Sequence, residues 1–161
     1  YVEIAAKKTA RLCASSVECG GYAAGGSALK IAALREFGPS YGVAFQMQDD
    51  LLDMTSTESA LGKPVGNDLT ERKVTIPLIL ALQGGDREFR ADVERFYAAD
   101  DTLPSQIAGV IAGIARQGGF DKTKALIAEY IERAKSALLP LGGVAARAEF
   151  VAVADALLAA N

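Results

Sequence analysis

The stretch Phe45-Gln46-Met47-Gln48-Asp49-Asp50-Leu51-Leu52-Asp53 decides the fold and points to the chemistry. At about 100° per residue, Val43, Ala44, Phe45, Met47, Leu51, Leu52 and Met54 cover most of a helix, while Gln46, Asp49, Asp50 and Asp53 share an arc of roughly 100°. No lysine or arginine stands three or four places away, so this is not the ion-paired pattern of a solvated helix. Carboxylates crowded in this way repel one another unless a cation lies between them. Ligation by oxygen alone selects a hard metal, Mg²⁺ before Ca²⁺, and Mg²⁺ implies a phosphate.

The composition supports a helical reading. Half of the 161 residues are apolar, alanine and leucine outnumber the β-branched and aromatic types, prolines number five and tryptophan is absent, which together favour an all-α domain. A formal charge of -3 gives no footing for nucleic acid. The chain has no histidine, which removes the commonest general base, the Ser-His and Cys-His nucleophile systems and most zinc sites. Chemistry must therefore run on carboxylates, lysines and a metal. Cys13 and Cys19 lie six residues apart on one expected helix, on different faces and about 9 Å apart along its axis. That is too far for a disulfide, so both are expected to be free, mostly buried thiols of a cytoplasmic protein. No apolar run approaches the roughly 18 residues that span a bilayer, and no basic leader opens the chain.

Glycine pairs at Gly20-Gly21, Gly25-Gly26, Gly84-Gly85, Gly118-Gly119 and Gly142-Gly143 are read as helix ends. Helices are expected over 1–18, 27–54, 75–83, 86–98, 104–116, 120–139 and 143–160. Asp86 and Asp121 are N-cap candidates, and Pro77 starts a helix where its missing N–H costs little. Ile127, Tyr130, Ile131, Ala134 and Leu138 form an apolar stripe. Phe37, Tyr22 and Tyr41 are read as core, and Asp100-Asp101 as a loop pair. The pattern Tyr1, Ile4, Ala5, Lys8, Leu12 is already helical at the first residue with no N-cap before it, so an N-terminal part is expected to be missing. The one long connection, residues 55–73, carries Lys63, Lys73 and Asp68 directly after the acidic helix, and suits a lid over a metal-bound polyphosphate.

Three ordered motifs resemble the C-terminal half of a trans-type polyprenyl diphosphate synthase. Gln46 with Asp49, Asp50 and Asp53 is similar to that family's second aspartate-rich motif, and Lys8-Thr9-Ala10-Arg11-Leu12 to its lysine-threonine motif. Gly62-Lys63-Pro64-Val65-Gly66-Asn67-Asp68-Leu69, then Lys73, Thr75 and Pro77, is similar to the loop that follows. The resemblance implies a partial isoprenoid-synthase-type helical bundle lacking its N-terminal helices, with residues 1–161 as the C-terminal portion of one domain. It implies a Mg²⁺-dependent prenyltransferase that ionises an allylic diphosphate and condenses it with isopentenyl diphosphate. Asp49, Asp50, Asp53 and Asp68 would hold the metal. Lys8, Thr9, Gln46 and Lys63 would be catalytic and substrate-binding, with Lys73 as a further substrate contact. The full-length protein would be a homodimer.

Two departures qualify the resemblance. The family's first aspartate-rich motif and its isopentenyl diphosphate site are not among these residues, so the chain alone is expected not to turn over. Gly38-Pro39 falls inside what the family makes one long helix, and an interior proline costs about 3 kcal/mol unless the helix kinks or restarts. A break or bend is therefore expected near residue 38. Arg72 stands where the family often has glycine, a mild change on an exposed loop. A non-catalytic partner subunit is disfavoured by the intact aspartates. A terpene cyclase is disfavoured because its second metal motif mixes Asn, Ser or Thr with Glu. A ligand-free packing module remains the plainest alternative.

Overall fold

The computed structural model describes residues 1–56, 62 and 64–159, and every regular element among them is helical. Helix α1 (Val2–Ala5), a π-helical turn (Ala6–Ala10) and α2 (Arg11–Ala23) follow one another without interruption. They are followed by α3 (Ala28–Thr55), the short α4 (Asn67–Thr70), α5 (Ile76–Gly84), α6 (Arg87–Ala98) and α7 (Pro104–Arg116). Helix α8 (Gly119–Ala137), a 3₁₀ turn (Leu139–Leu141) and α9 (Ala145–Ala159) complete the order. The chain divides into two units, residues 1–48 with 125–161, and residues 49–124.

In the first unit the π-helical turn and α2 pack antiparallel on α3 through small residues. A methyl group on Gly42 would lie 2.5 Å from Ala10 Cα, and one on Gly38 would lie 2.5 Å from Ala14 Cα. The two backbones are therefore in direct apposition at both levels. Gly20-Gly21 does not end the helix as expected, since α2 continues to Ala23. The glycine serves close approach instead, because a Cβ on Gly21 would meet Leu34 Cδ1 at 2.5 Å. The chain turns at Gly25, whose φ of 68° suits a residue without Cβ.

Of the break or bend expected near residue 38, a break does not occur: α3 runs through Pro39 for 28 residues. Tertiary packing outweighs the lost Pro39 N–H: Phe37 is buried, stacks on Tyr41 with centroids 5.6 Å apart and meets Phe150 of α9 at 5.1 Å. Tyr41 is half-buried, whereas Tyr22 is 58% exposed and does not belong to the core. Cys13 and Cys19 are both free, as expected, but Cys13 is only half-buried and Cys19 is exposed. Along α8 and the residue after it the stripe holds: Ile127, Ile131, Ala134 and Leu138 are fully buried and Tyr130 is half-buried. Lys135 of α8 pairs with Asp155 of α9 at 2.9 Å.

The second unit has its own core of Met54, Leu69, Leu78, Phe89, Val93, Phe96, Val110 and Ile114. Gly113 allows Phe89 to lie against α7, because a Cβ there would sit 2.5 Å from the ring. Asp86 caps α6 as expected, accepting the Phe89 N–H on Oδ1 at 2.8 Å. Asp121 is not a cap: α8 begins at Gly119, which places Asp121 in the first turn, where its charge favours the helix N-terminus. Pro77 lies in the first turn of α5, as expected. Among the described residues no helix is long and apolar enough to cross a membrane.

Candidate functional site

In the first unit, the antiparallel register set by Ala10 on Gly42 and Ala14 on Gly38 places Thr9 beside Gln46. The Thr9 hydroxyl donates to Gln46 Oε1 across 2.5 Å. A side chain as short as threonine spans this gap because no Cβ separates the helices one turn away. Lys7, Lys8 and Thr9 all lie in the π-helical turn, a geometry that is frequent at functional sites. The wider turn keeps Ala5 and Ala10, five residues apart, buried together, while Lys8 is exposed. Two residues that the resemblance implies for substrate binding, Thr9 and Gln46, are thus joined to each other.

In the second unit, the C-terminal turns of α3 carry Asp49, exposed, and Asp50 and Asp53, buried at 4% and 1% exposure. The acidic stripe is thus split between solvent and interior. Carboxylates at a helix C-terminus add to the negative end of its dipole, which strengthens the attraction for a cation. Asp53 also organises the following loop. Its carbonyl accepts the Gly66 N–H at 2.8 Å, and its Oδ2 accepts the Asp68 N–H at 3.0 Å. Gly66 is required at this corner twice over: its φ is 76°, and a Cβ would lie 2.6 Å from Ile107.

Asp68, 8% exposed, is brought to Lys73, whose Nζ lies 3.0 Å from its Oδ1 and 2.6 Å from Glu71 Oε2. Glu71 first and Asp68 second push the Lys73 ammonium above its usual range, so it is a fixed positive charge. Asn67 Nδ2 donates to Glu71 Oε1 at 3.1 Å. Lys63 lies outside the described residues. Among the described residues no three acidic or thiol side chains gather into a ready-made ion cage. Part of the reason is that Asp53 faces a backbone N–H and Asp68 faces an ammonium. The donors are nonetheless hard oxygens, those of Asp49, Asp50 and Asp53 in the C-terminal turns of α3. Mg²⁺ is commonly held by one or two carboxylates with waters and substrate phosphates rather than by an all-protein cage, so this set fits it.

Sequence reasoning missed three participants. Tyr97 on α6 donates its hydroxyl to the Lys73 carbonyl at 2.8 Å, and Glu71 shares the Lys73 ammonium. Arg72, read as a mild change, has φ of 60° and donates to the Phe96 and Ala99 carbonyls at 2.7 and 2.6 Å. An arginine at a glycine position was the one signal available for it.

A family profile described as polyprenyl synthetase matches residues 1–114. The short chain isoprenyl diphosphate synthase of Methanothermobacter thermautotrophicus is 35% identical over 158 residues, 98% of this chain and 48% of its own length. A polyprenyl synthase from Caulobacter crescentus, solved with calcium and isoprenyl diphosphate, superposes with a TM-score of 0.91 at 34% identity, covering 98% of this chain and 48% of its own. A geranylgeranyl pyrophosphate synthase from Corynebacterium glutamicum, solved with isoprenyl diphosphate and magnesium, gives 0.86 at 30% identity, covering 100% and 47%. The chain spans about half the length of the curated relatives it matches.

Proposed function

The chain belongs to the polyprenyl synthetase family, and on that premise we propose that it carries the second aspartate motif of a prenyltransferase that elongates an allylic diphosphate with isopentenyl diphosphate. The observation that carries this reading is the linkage of Asp53, Asp68 and Lys73: two buried carboxylates, one oriented by a backbone N–H and the other by an ammonium, at the end of an acidic helix.

Asp49, Asp50, Asp53 and Asp68 are the metal-binding residues of the proposal. Bound Mg²⁺ would neutralise charge growing on the departing diphosphate as the allylic C–O bond breaks. Lys8, Lys63 and Lys73 would contact diphosphate oxygens and stabilise the same charge. Thr9 would orient Gln46 toward the substrate. The C–O electron pair leaves with the diphosphate, the double bond of isopentenyl diphosphate attacks the allylic carbon, and diphosphate takes the proton then lost. A cytoplasmic location, which suits two free thiols, and a homodimeric full-length protein belong to the same proposal.

Calorimetric titration with Mg²⁺ and a non-hydrolysable allylic diphosphate analogue tests it. Wild type is expected to bind the analogue only with the metal. Binding that is unchanged in a chain carrying both Asp49→Ala and Asp53→Ala would sink the assignment.

A further inference from the structure

Arg72 adopts a backbone conformation that arginine rarely takes, with φ of 60° in the turn between α4 and α5. Its side chain reaches back to the end of α6. One guanidinium nitrogen donates to the Phe96 carbonyl at 2.7 Å and another to the Ala99 carbonyl at 2.6 Å. These are carbonyls at a helix C-terminus, where no intrahelical partner follows and positive charge is favoured. The guanidinium carbon also lies 5.4 Å from the Phe96 ring centroid. From the other side, Tyr97 donates its hydroxyl to the Lys73 carbonyl at 2.8 Å. The peptide carrying Lys73 is therefore fastened to α6 on both flanks. Within the turn, the Arg72 N–H goes to the Leu69 carbonyl at 3.0 Å and the Lys73 N–H to the Asp68 carbonyl at 2.8 Å.

We propose that Arg72 is a positioning residue: by clamping the α4–α5 turn to the C-terminus of α6, it sets where the Lys73 ammonium stands against the Asp68 carboxylate. The functional consequence, tighter diphosphate binding, rests on the reading of Lys73 and Asp68 given above. A glycine would supply the left-handed φ without strain but none of the clamp. Arginine accepts the strained conformation and returns two charge-assisted hydrogen bonds to another helix.

The two contributions separate in Arg72→Gly of the full 161-residue chain, because glycine retains the turn's φ. Arg72→Asn, which also tolerates a left-handed φ but cannot span both carbonyls, serves as a second variant. Amide hydrogen exchange at Lys73 and the NMR chemical shifts of its ammonium read the clamp directly. The expected result in both variants is at least about tenfold faster Lys73 exchange and displaced ammonium resonances. Lys73 exchange and ammonium shifts identical to wild type would overturn the proposal. Titration with inorganic pyrophosphate in Mg²⁺ reads the consequence, with affinity expected to fall several-fold. A wild-type chain that takes up no pyrophosphate overturns the diphosphate reading, whereas the exchange data decide the clamp independently.

Discussion

Asp53 holds Asp68: its buried Oδ2 accepts the Asp68 backbone N–H across 3.0 Å, so one aspartate sets the main-chain position of another fifteen residues later. The bond separates a structural role from an electrostatic one. Asp53→Asn retains an oxygen acceptor and removes the charge, whereas Asp53→Ala leaves the Asp68 N–H without its acceptor. The alanine variant is expected to lose about 1–3 kcal/mol, the usual cost of an unsatisfied buried group. The asparagine variant is expected to lose less, while its Mg²⁺-dependent pyrophosphate affinity falls by about tenfold or more. Urea unfolding and calorimetry on the two variants check this. Equal pyrophosphate affinity in Asp53→Asn and wild type would mean that the charge does not serve the ligand.

The packing of the π-helical turn on α3 makes a sharper structural prediction. A methyl group on Gly42 would overlap Ala10 Cα and Cβ, at 2.5 and 2.8 Å, and backbone atoms cannot yield as a flexible side chain can. Gly42→Ala is expected to cost about 1–3 kcal/mol despite alanine's better helix propensity. Gly109, where an added Cβ would meet nothing within 4 Å, is the control. Gly109→Ala lies in α7 and is expected to stabilise by about 0.5–1 kcal/mol. Denaturant midpoints that shift in the same direction for both variants would contradict the packing described.

These elements also show how far the sequence could be read. The Ile127–Leu138 stripe, the Asp86 cap and the early Pro77 were legible because each depends on neighbours within one or two turns. Gly20-Gly21 was misread because glycine has two uses, left-handed freedom and close approach, and a sequence does not say which applies. Pro39 does not break the helix because its cost is local while the packing of Phe37 and Gly38 that outweighs it is not. Of the candidate site, the order of Asp53, Asp68 and Lys73 was visible. The bonds from Tyr97 to Lys73 and from Arg72 to Phe96 cross 24 residues and leave no local pattern.

Acid should weaken the α6 cap in a definite direction. The Phe89 N–H, then the Gln117 side chain on Oδ2 at 2.8 Å, hold the Asp86 carboxyl below its ordinary range. A carboxyl depressed on folding contributes stability in full above the unfolded value, near about 4, and loses it as pH falls through the folded value. Asp86→Asn still caps but does not titrate in this range. Melting temperatures followed by circular dichroism should show wild type ahead of Asp86→Asn at neutral pH and the gap closing as pH drops below about 4. Parallel curves down to acid would show that the ionised carboxylate adds nothing beyond the neutral cap.

The Thr9–Gln46 bond links helix packing to the proposed ligand. Thr9→Val keeps the shape and the β-branch but removes the proton given to Gln46 Oε1, so the carboxamide loses this contact. The stability cost is expected to be about 0.5–1.5 kcal/mol. If Gln46 presents its oriented amide to the diphosphate, binding should weaken by about fivefold, equivalent to about 1 kcal/mol. Thr9→Ser restores the hydroxyl and should recover most of the affinity in the same pyrophosphate titration. A valine variant that binds as tightly as wild type would show that the hydroxyl does not serve the ligand and would remove Thr9 from the site.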